Sequence, residues 1–267
     1  MSELREPSFC VEPAAPVFAL AEPGSKPAGH APQHAAQATS SDEQRTRGIL
    51  VDTADIPGGG QLQLVRYDDQ FEIMVGEDQL MSSWDSRSEE ALASMVCQRL
   101  GNSAERVLIG GLGMGFTLAS ALAGLPASAE IVVAELVPKI VDWAAGPLAP
   151  IFGKSLSDAR LSLKIKDVHD VLVEEPAGYN AILLDVDNGP DGLVHLANER
   201  LYCNWGLRTA YAALRPGGIL AVWSAYPDTS FFTRLTDAGF TVEEHTLPSQ
   251  MSPEDAPHVI WLAAKPA

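Results

Sequence analysis

Polar and apolar positions alternate along Gln61-Leu-Gln-Leu-Val65 and Phe71-Glu-Ile-Met-Val75. The two runs are joined through Tyr67-Asp-Asp-Gln70, which predicts a β-hairpin, and a further short strand fits near Gln79. From Ser88 the period changes. Residues Glu89 to Leu100 carry apolar side chains at helical spacing, and Gly101-Asn102 closes the helix. Strands and helices then alternate: Arg106–Gly110 strand, Phe116–Ala123 helix, Ile131–Ala134 strand, Pro138–Ala145 helix, Leu161–Ile165 strand. The alternation continues with strand Ala181–Leu184, helix Glu199–Leu214, strand Ile219–Trp223 and helix Phe231–Ala238. Short, almost wholly apolar strands between amphipathic helices predict a doubly wound, mainly parallel α/β sheet of Rossmann-like type, with ligands at the carboxyl ends of its strands. Phe240–His245 and His258–Ala263 have no clear helix between them and read as a closing antiparallel pair.

Three segments follow from this pattern. Residues 1–47 hold six prolines and nine alanines without periodicity, and are expected to form a disordered tail. Their opening, with Glu3, Arg5, Glu6 and Pro7, does not read as a secretory signal. Residues 48–87 are expected to form a small β-hairpin domain, and residues 88–267 the Rossmann-like domain.

Composition narrows the functional classes. The chain of 267 residues has 18 Lys+Arg against 35 Asp+Glu, a formal charge of −17. Such a field repels a phosphate backbone and gathers small cations, so nucleic acid is not an expected partner and a cationic small molecule is compatible. No apolar run approaches the roughly 20 residues of a membrane-spanning helix. Cys10, Cys97 and Cys203 are too few and too scattered for a disulfide framework or a metal cluster, which suits a reducing cytosol. A cytoplasmic protein without a metal is the expectation.

The candidate chemistry sits at strand ends. Gly110-Gly-Leu-Gly-Met-Gly115 follows the first core strand and opens a helix, so Gly111, Gly113 and Gly115 let backbone amides approach a ligand. Glu135 ends the second strand about 20 residues later, where an acid can accept from two ribose hydroxyls; the alternative is a solvated strand-end acid. Asp167 follows the third strand, as an acceptor for an adenine amine or as the N-cap of a helix starting at Val168. Asp185 and Asp187 follow the fourth strand over the switch-point crevice, where a carboxylate can hold or deprotonate an amine. An Asx turn in Asp187-Asn-Gly-Pro190 accounts for Asp187 better than for Asp185.

Between Gln61 and Trp223 the sequence resembles the spermidine-synthase-like (polyamine aminopropyltransferase) branch of class I S-adenosylmethionine-dependent transferases. That family carries a small β domain before the nucleotide-binding sheet and a Gly-x-x-Gln, matched by Gly76-Glu-Asp-Gln79. Eleven residues after the glutamine comes the glutamate of its Tyr-x-Glu, matched by Glu90. Its ribose acid falls at Glu135, its adenine-side acid at Asp167, its catalytic aspartate at Asp185, and an aromatic pair at Leu201-Tyr202. The resemblance implies a donor, S-adenosylmethionine or its decarboxylated form, bound by Gln79, the glycine turn, Glu135, Asp167 and Asp185. It also implies an amine acceptor held near Glu90 and Tyr202, catalysis by Asp185 and Asp187, and a homodimer.

The departures fall where reaction chemistry is decided. The acid of the family's glycine-rich motif is Met114, the tyrosine of Tyr-x-Glu is Ser88, and the second acid of the catalytic loop is Asn188 unless Asp187 substitutes. Aminopropyl transfer is the implied activity. Alternatives are methyl transfer from intact S-adenosylmethionine to a small molecule, a non-catalytic nucleoside-binding protein, and an NAD-linked oxidoreductase, which the glycine spacing and the Asp185 loop fit less well. His169, His195, His245 and His258 are scattered and read as surface or packing residues, and the tryptophans mostly as core, with Trp84 a candidate for the acceptor pocket. No Gly-x-Ser-x-Gly elbow supports a hydrolase.

Overall fold

In the computed structural model Ile49–Asp55 forms an edge strand, β1, that alternation alone does not predict because only Ala54 of it is buried. It pairs antiparallel with β2 (Gln61–Tyr67), which pairs with β3 (Gln70–Val75), which in turn pairs with β4 (Asp78–Ser82). The predicted hairpin is thus the centre of a four-stranded sheet. β1 is tied down by side chains: Asp52 accepts a hydrogen bond of 2.9 Å from the Trp143 indole and pairs with Lys139 at 3.1 Å. The structure describes residues 48–190, 192–193, 196–248 and 256–267; the expected tail and His195 lie outside them.

Helix α1 (Arg87–Leu100) leads to β5 (Arg106–Gly110), α2 (Phe116–Gly124), β6 (Glu130–Glu135), α3 (Pro138–Ala145) and the short α4 (Ala149–Phe152). Then come β7 (Leu161–Ile165), α5 (Val168–Glu174), β8 (Tyr179–Leu184), α6 (Glu199–Tyr202) and α7 (Asn204–Ala213). The chain continues through β9 (Leu214–Ser224), α8 (Thr229–Asp237), β10 (Thr241–Leu247) and β11 (His258–Ala264). The single helix expected over Glu199–Leu214 is two. Cys203 is extended, and the chain folds back so closely that a Cβ on Gly206 would lie 2.0 Å from the Arg200 carbonyl oxygen.

The large sheet has seven strands in the order β10-β11-β9-β8-β5-β6-β7. β5 to β9 are parallel to their neighbours, and β11 joins β9 and β10 antiparallel, as the closing pair predicts. The chain order reverses between β5 and β8, which places a crevice at their carboxyl ends.

Each face of the large sheet has its own apolar core. One gathers Leu92 and Val96 of α1, Leu118 of α2 and Trp143 of α3, together with Leu62, Leu64 and Ile73 of the small sheet. The other gathers Val171 of α5, Leu207 of α7 and Phe231 of α8 under Trp261 of β11. The small sheet is therefore a lid packed into the first core, with its inner residues above the switch point.

Candidate functional site

β5 delivers the chain into the glycine turn. Gly111 has φ +87° and Gly115 φ +82°, a region that side chains rarely adopt. A Cβ at Gly111 would meet the Asp185 carbonyl oxygen at 2.6 Å, and one at Gly115 the Phe152 ring at 2.4 Å. The turn packs against two neighbours, and its sequence follows from that. Gly111 and Gly113 line a cavity of ≈160 Å³, shared with Glu135, Asp167, Asp185 and Asp187 and covered by Ile73, Leu80 and Met81 of the small sheet. Gly115 lies outside the lining, as the left-handed N-cap of α2.

Glu135 is 7% exposed at the end of β6. Its two carboxylate oxygens accept from the amides of Leu112 and Val137, both at 2.8 Å. Burial raises its pKa, and those amide donors oppose the rise. The acid therefore braces the glycine turn while facing the cavity.

Asp167 fills the second of its two candidate roles, the N-cap. One oxygen accepts from the His169 amide at 2.8 Å as N-cap of α5, and the other pairs with Arg200. Arg200 thus occupies the Asp167 oxygen that the cap leaves free.

Asp185 is half-buried beyond β8, where one oxygen accepts from the Thr117 hydroxyl at 2.6 Å. Burial pushes its pKa up to about 6, against the lowering effect of that hydrogen bond. Asp187 has φ +59°, an unusual conformation for a residue with a side chain. Its carboxylate accepts from the Asn188 amide at 3.0 Å and from Asn198 Nδ2 at 3.1 Å.

Three expected site residues fall elsewhere. Glu90 is exposed and accepts from the Ser86 hydroxyl at 2.8 Å, because its neighbour Glu89, about 100° away around α1, points inward instead. Tyr202 is fully buried; its hydroxyl donates to the Val186 carbonyl at 2.7 Å and props the Asp185–Asp187 loop from beneath. Gln79 lies outside the main cavity, beside Asn188 and His258 on a second pocket of ≈130 Å³. Trp84 lines neither pocket and packs edge-on against Tyr67 at 6.2 Å, whereas Trp223 lines both. Met114 is buried and outside the cavity lining.

Glu89 is the residue that sequence reasoning missed. It is 5% exposed, lines both pockets, and accepts from the Ser88 hydroxyl at 2.6 Å. Burial, and then the nearby Asp185 charge, push its pKa up to about 8. A signal was available: Glu89, Leu92, Ala93 and Val96 share the inward face of α1 at helical spacing. Three carboxyl groups with raised pKa values in one cavity, Glu89, Glu135 and Asp185, suit the capture of a cationic or proton-donating ligand. Among the described residues no group of three or more His, Cys, Asp or Glu could hold a metal ion, and no helix is long and apolar enough to cross a membrane.

The folded chain was compared with known proteins. Spermidine synthase from Thermotoga maritima superimposes with a TM-score of 0.66 over 81% of this chain and 72% of that one, at 16% identity. The two share a fold, a small antiparallel sheet packed before a seven-stranded, mainly parallel Rossmann-like sheet. Burkholderia thailandensis 1,6-didemethyltoxoflavin-N1-methyltransferase, solved with 1,6-didemethyltoxoflavin and S-adenosylhomocysteine, gives a TM-score of 0.50 over 69% of this chain and 80% of that one, at 20% identity. In sequence, a polyamine aminopropyltransferase of Mycobacterium tuberculosis is 30% identical over 158 residues, 56% of this chain and 29% of that protein. The chain therefore matches under a third of that relative's length. No protein-family model matches.

Proposed function

We propose that this spermidine-synthase-like chain is a transferase that moves an aminopropyl group from decarboxylated S-adenosylmethionine to a small amine. The observation that carries the reading is the convergence of Glu135 and Asp185 on one cavity beside the glycine turn. The amides of the turn and the Glu135 carboxylate would hold the nucleoside, with Asp167 exchanging Arg200 for the base amine. Asp185 and Asp187 would hold the acceptor's ammonium group over the donor carbon.

In the reaction, the ammonium yields one proton to a carboxylate, and the freed nitrogen lone pair forms the N–C bond. The C–S bond breaks with its electron pair going to sulfur, leaving a neutral thioether. No external oxidant or reductant is needed. A carboxylate with a raised pKa serves this step better than an ordinary one, because it takes the proton at a pH where the amine is still held close. In this reading Glu89 takes the place of the acid lost at Met114, as a hydrogen-bond partner for the donor's amine.

Methyl transfer from intact S-adenosylmethionine is a second reading, favoured by the absence of a carboxylate at Met114. The test is incubation of the full chain with each donor and a panel of diamines, followed by mass spectrometry. Methylthioadenosine with an aminopropylated amine supports the first reading, and S-adenosylhomocysteine with a methylated product supports the second. Calorimetry should show S-adenosylmethionine or methylthioadenosine binding that Glu135→Ala abolishes. Binding of neither ligand overturns both readings.

A further inference from the structure

The carboxyl group of Glu89 stands at the junction of two pockets, and a line of hydrogen-bonding atoms runs from it away from the main cavity. The Ser88 hydroxyl donates to Glu89 Oε2 at 2.6 Å and lies 2.9 Å from His258 Nδ1. Ser88 is 4% exposed, so this is a buried link and not a surface contact. His258 at the start of β11 is half-buried, packs edge-on against Trp223 at 5.1 Å, and lines the second pocket with Asp85 and Tyr226. On the other side Glu89 shares the main cavity with Asp185, whose charge acts on it and whose carboxylate accepts from Thr117.

The proposed transfer has a proton left over. An ammonium acceptor and a sulfonium donor give a secondary ammonium and a thioether, so one proton must leave for each turnover. Asp185 is half-buried on the main cavity, and Thr117 connects it only to the Glu89 carbonyl, so the Thr117 side offers no path to the second pocket among the described residues.

We infer that Glu89, Ser88 and His258 form a proton relay that carries this leaving proton from the cavity carboxylates to the second pocket. The inference rests on the proposed transfer reaction. Glu89 takes the proton and passes it to Ser88 Oγ while the Ser88 hydroxyl proton moves to His258 Nδ1. His258 then releases its Nε2 proton to water in the second pocket, and solvent exchange there returns the ring from the Nδ1–H to the Nε2–H tautomer before the next turnover, so that every atom ends with the protons it began with. Ser88 and His258 act through Glu89, so they are positioning residues and not catalytic ones.

The groups that face the relay are Asp185 from the loop after β8, Asp85 from the segment before α1, Thr117 from α2 and Trp223 from β9. Burial lowers the pKa of His258 and the Asp85 charge opposes that, which keeps the ring neutral and able to accept near neutral pH. Ser88 can donate to only one partner at a time. The line therefore has two states: with Glu89 ionised, Ser88 donates to it and accepts from His258 Nδ1–H; with Glu89 protonated, Ser88 donates to His258 Nδ1 and the ring proton sits on Nε2.

The test pairs a measurement that needs no turnover with one that does. Nitrogen-15 NMR of the full chain should show His258 changing from the Nε2–H to the Nδ1–H tautomer as pH rises through the titration of Glu89, a change that Ser88→Ala removes. A single tautomer across that range overturns the relay. In the transfer assay, Ser88→Ala and His258→Asn should lower kcat about tenfold near pH 7 with donor KM unchanged within twofold. Ser88→Thr should retain activity, and imidazole should restore the His258→Asn rate. Variants that are folded yet turn over at the parent rate across the pH range overturn the relay alone. A parent chain that transfers nothing from either donor overturns the functional reading, and the relay's role with it.

Discussion

Replacing Glu89 by glutamine should change how stability depends on pH. The side chain is 5% exposed, and burial with the Asp185 charge raises its pKa from 4.5 to about 8. A carboxyl group whose folded pKa is raised contributes stability that is complete below its unfolded value and is lost as pH rises through the folded value. Between pH 6 and 8 the folded chain therefore holds a proton that the unfolded chain has released, and stability falls by ~1.4 kcal/mol per pH unit. Over the interval the loss is about 3 kcal/mol, or roughly 5–10 °C in Tm for a domain of this size. His169, whose pKa burial lowers, acts in the opposite direction but equally in both proteins and cancels in their difference, to which Glu89 contributes together with Asp185 and His258, the groups linked to it. The assay is calorimetric or fluorescence-monitored unfolding of both chains from pH 5.5 to 8.5 at constant ionic strength. The stability of Glu89→Gln relative to the parent should rise steadily from pH 6 to pH 8. Parallel curves would refute the reasoning, because they would mean that Glu89 is solvated and titrates as an ordinary surface acid.

Other outcomes follow from the same geometry. Gly111→Ala combines a positive φ with a Cβ 2.6 Å from the Asp185 carbonyl oxygen, so chemical denaturation should show a loss of about 2–3 kcal/mol and weakened ligand binding. Tyr202→Phe leaves the Val186 carbonyl without its buried donor and should cost about 1–2 kcal/mol in the same measurement, with a larger effect on acceptor KM than on donor KM. Thr117→Val removes the hydrogen bond that lowers the Asp185 pKa, so the acid limb of the pH–rate profile should move to higher pH. Arg200→Ala frees one oxygen of Asp167 and should tighten adenosine binding in calorimetry; weaker binding would mean that Arg200 itself contacts the nucleoside.

The fold was legible where burial imposes a period. β5, β6 and β8 are almost wholly apolar because helices cover both faces, and the glycine turn and strand-end acids follow at fixed distances from them. β1 was not legible, since Ile49, Leu50 and Val51 are exposed and its attachment depends on Asp52 reaching Trp143, a contact 91 residues away. At the site, position along the chain identified which strand end bears an acid but not which way a helical residue faces. Glu90 has the spacing of the resembling family, yet Glu89 shares the inward face with Leu92 and Val96 and occupies the cavity. The contribution of His258 was likewise hidden, because β11 and α1 meet only in three dimensions.

β11 comes after every other strand of the large sheet in sequence, yet it lies inside the sheet, between β9 and β10. A ribosome releases residues in order, so β9 and β10 emerge first, each with an unpaired edge and with the bed of Trp261 still empty. Such edges invite pairing with other nascent chains until the missing strand slides in between. Synthesis that stalls before His258 should therefore leave a sticky intermediate and not a smaller working protein.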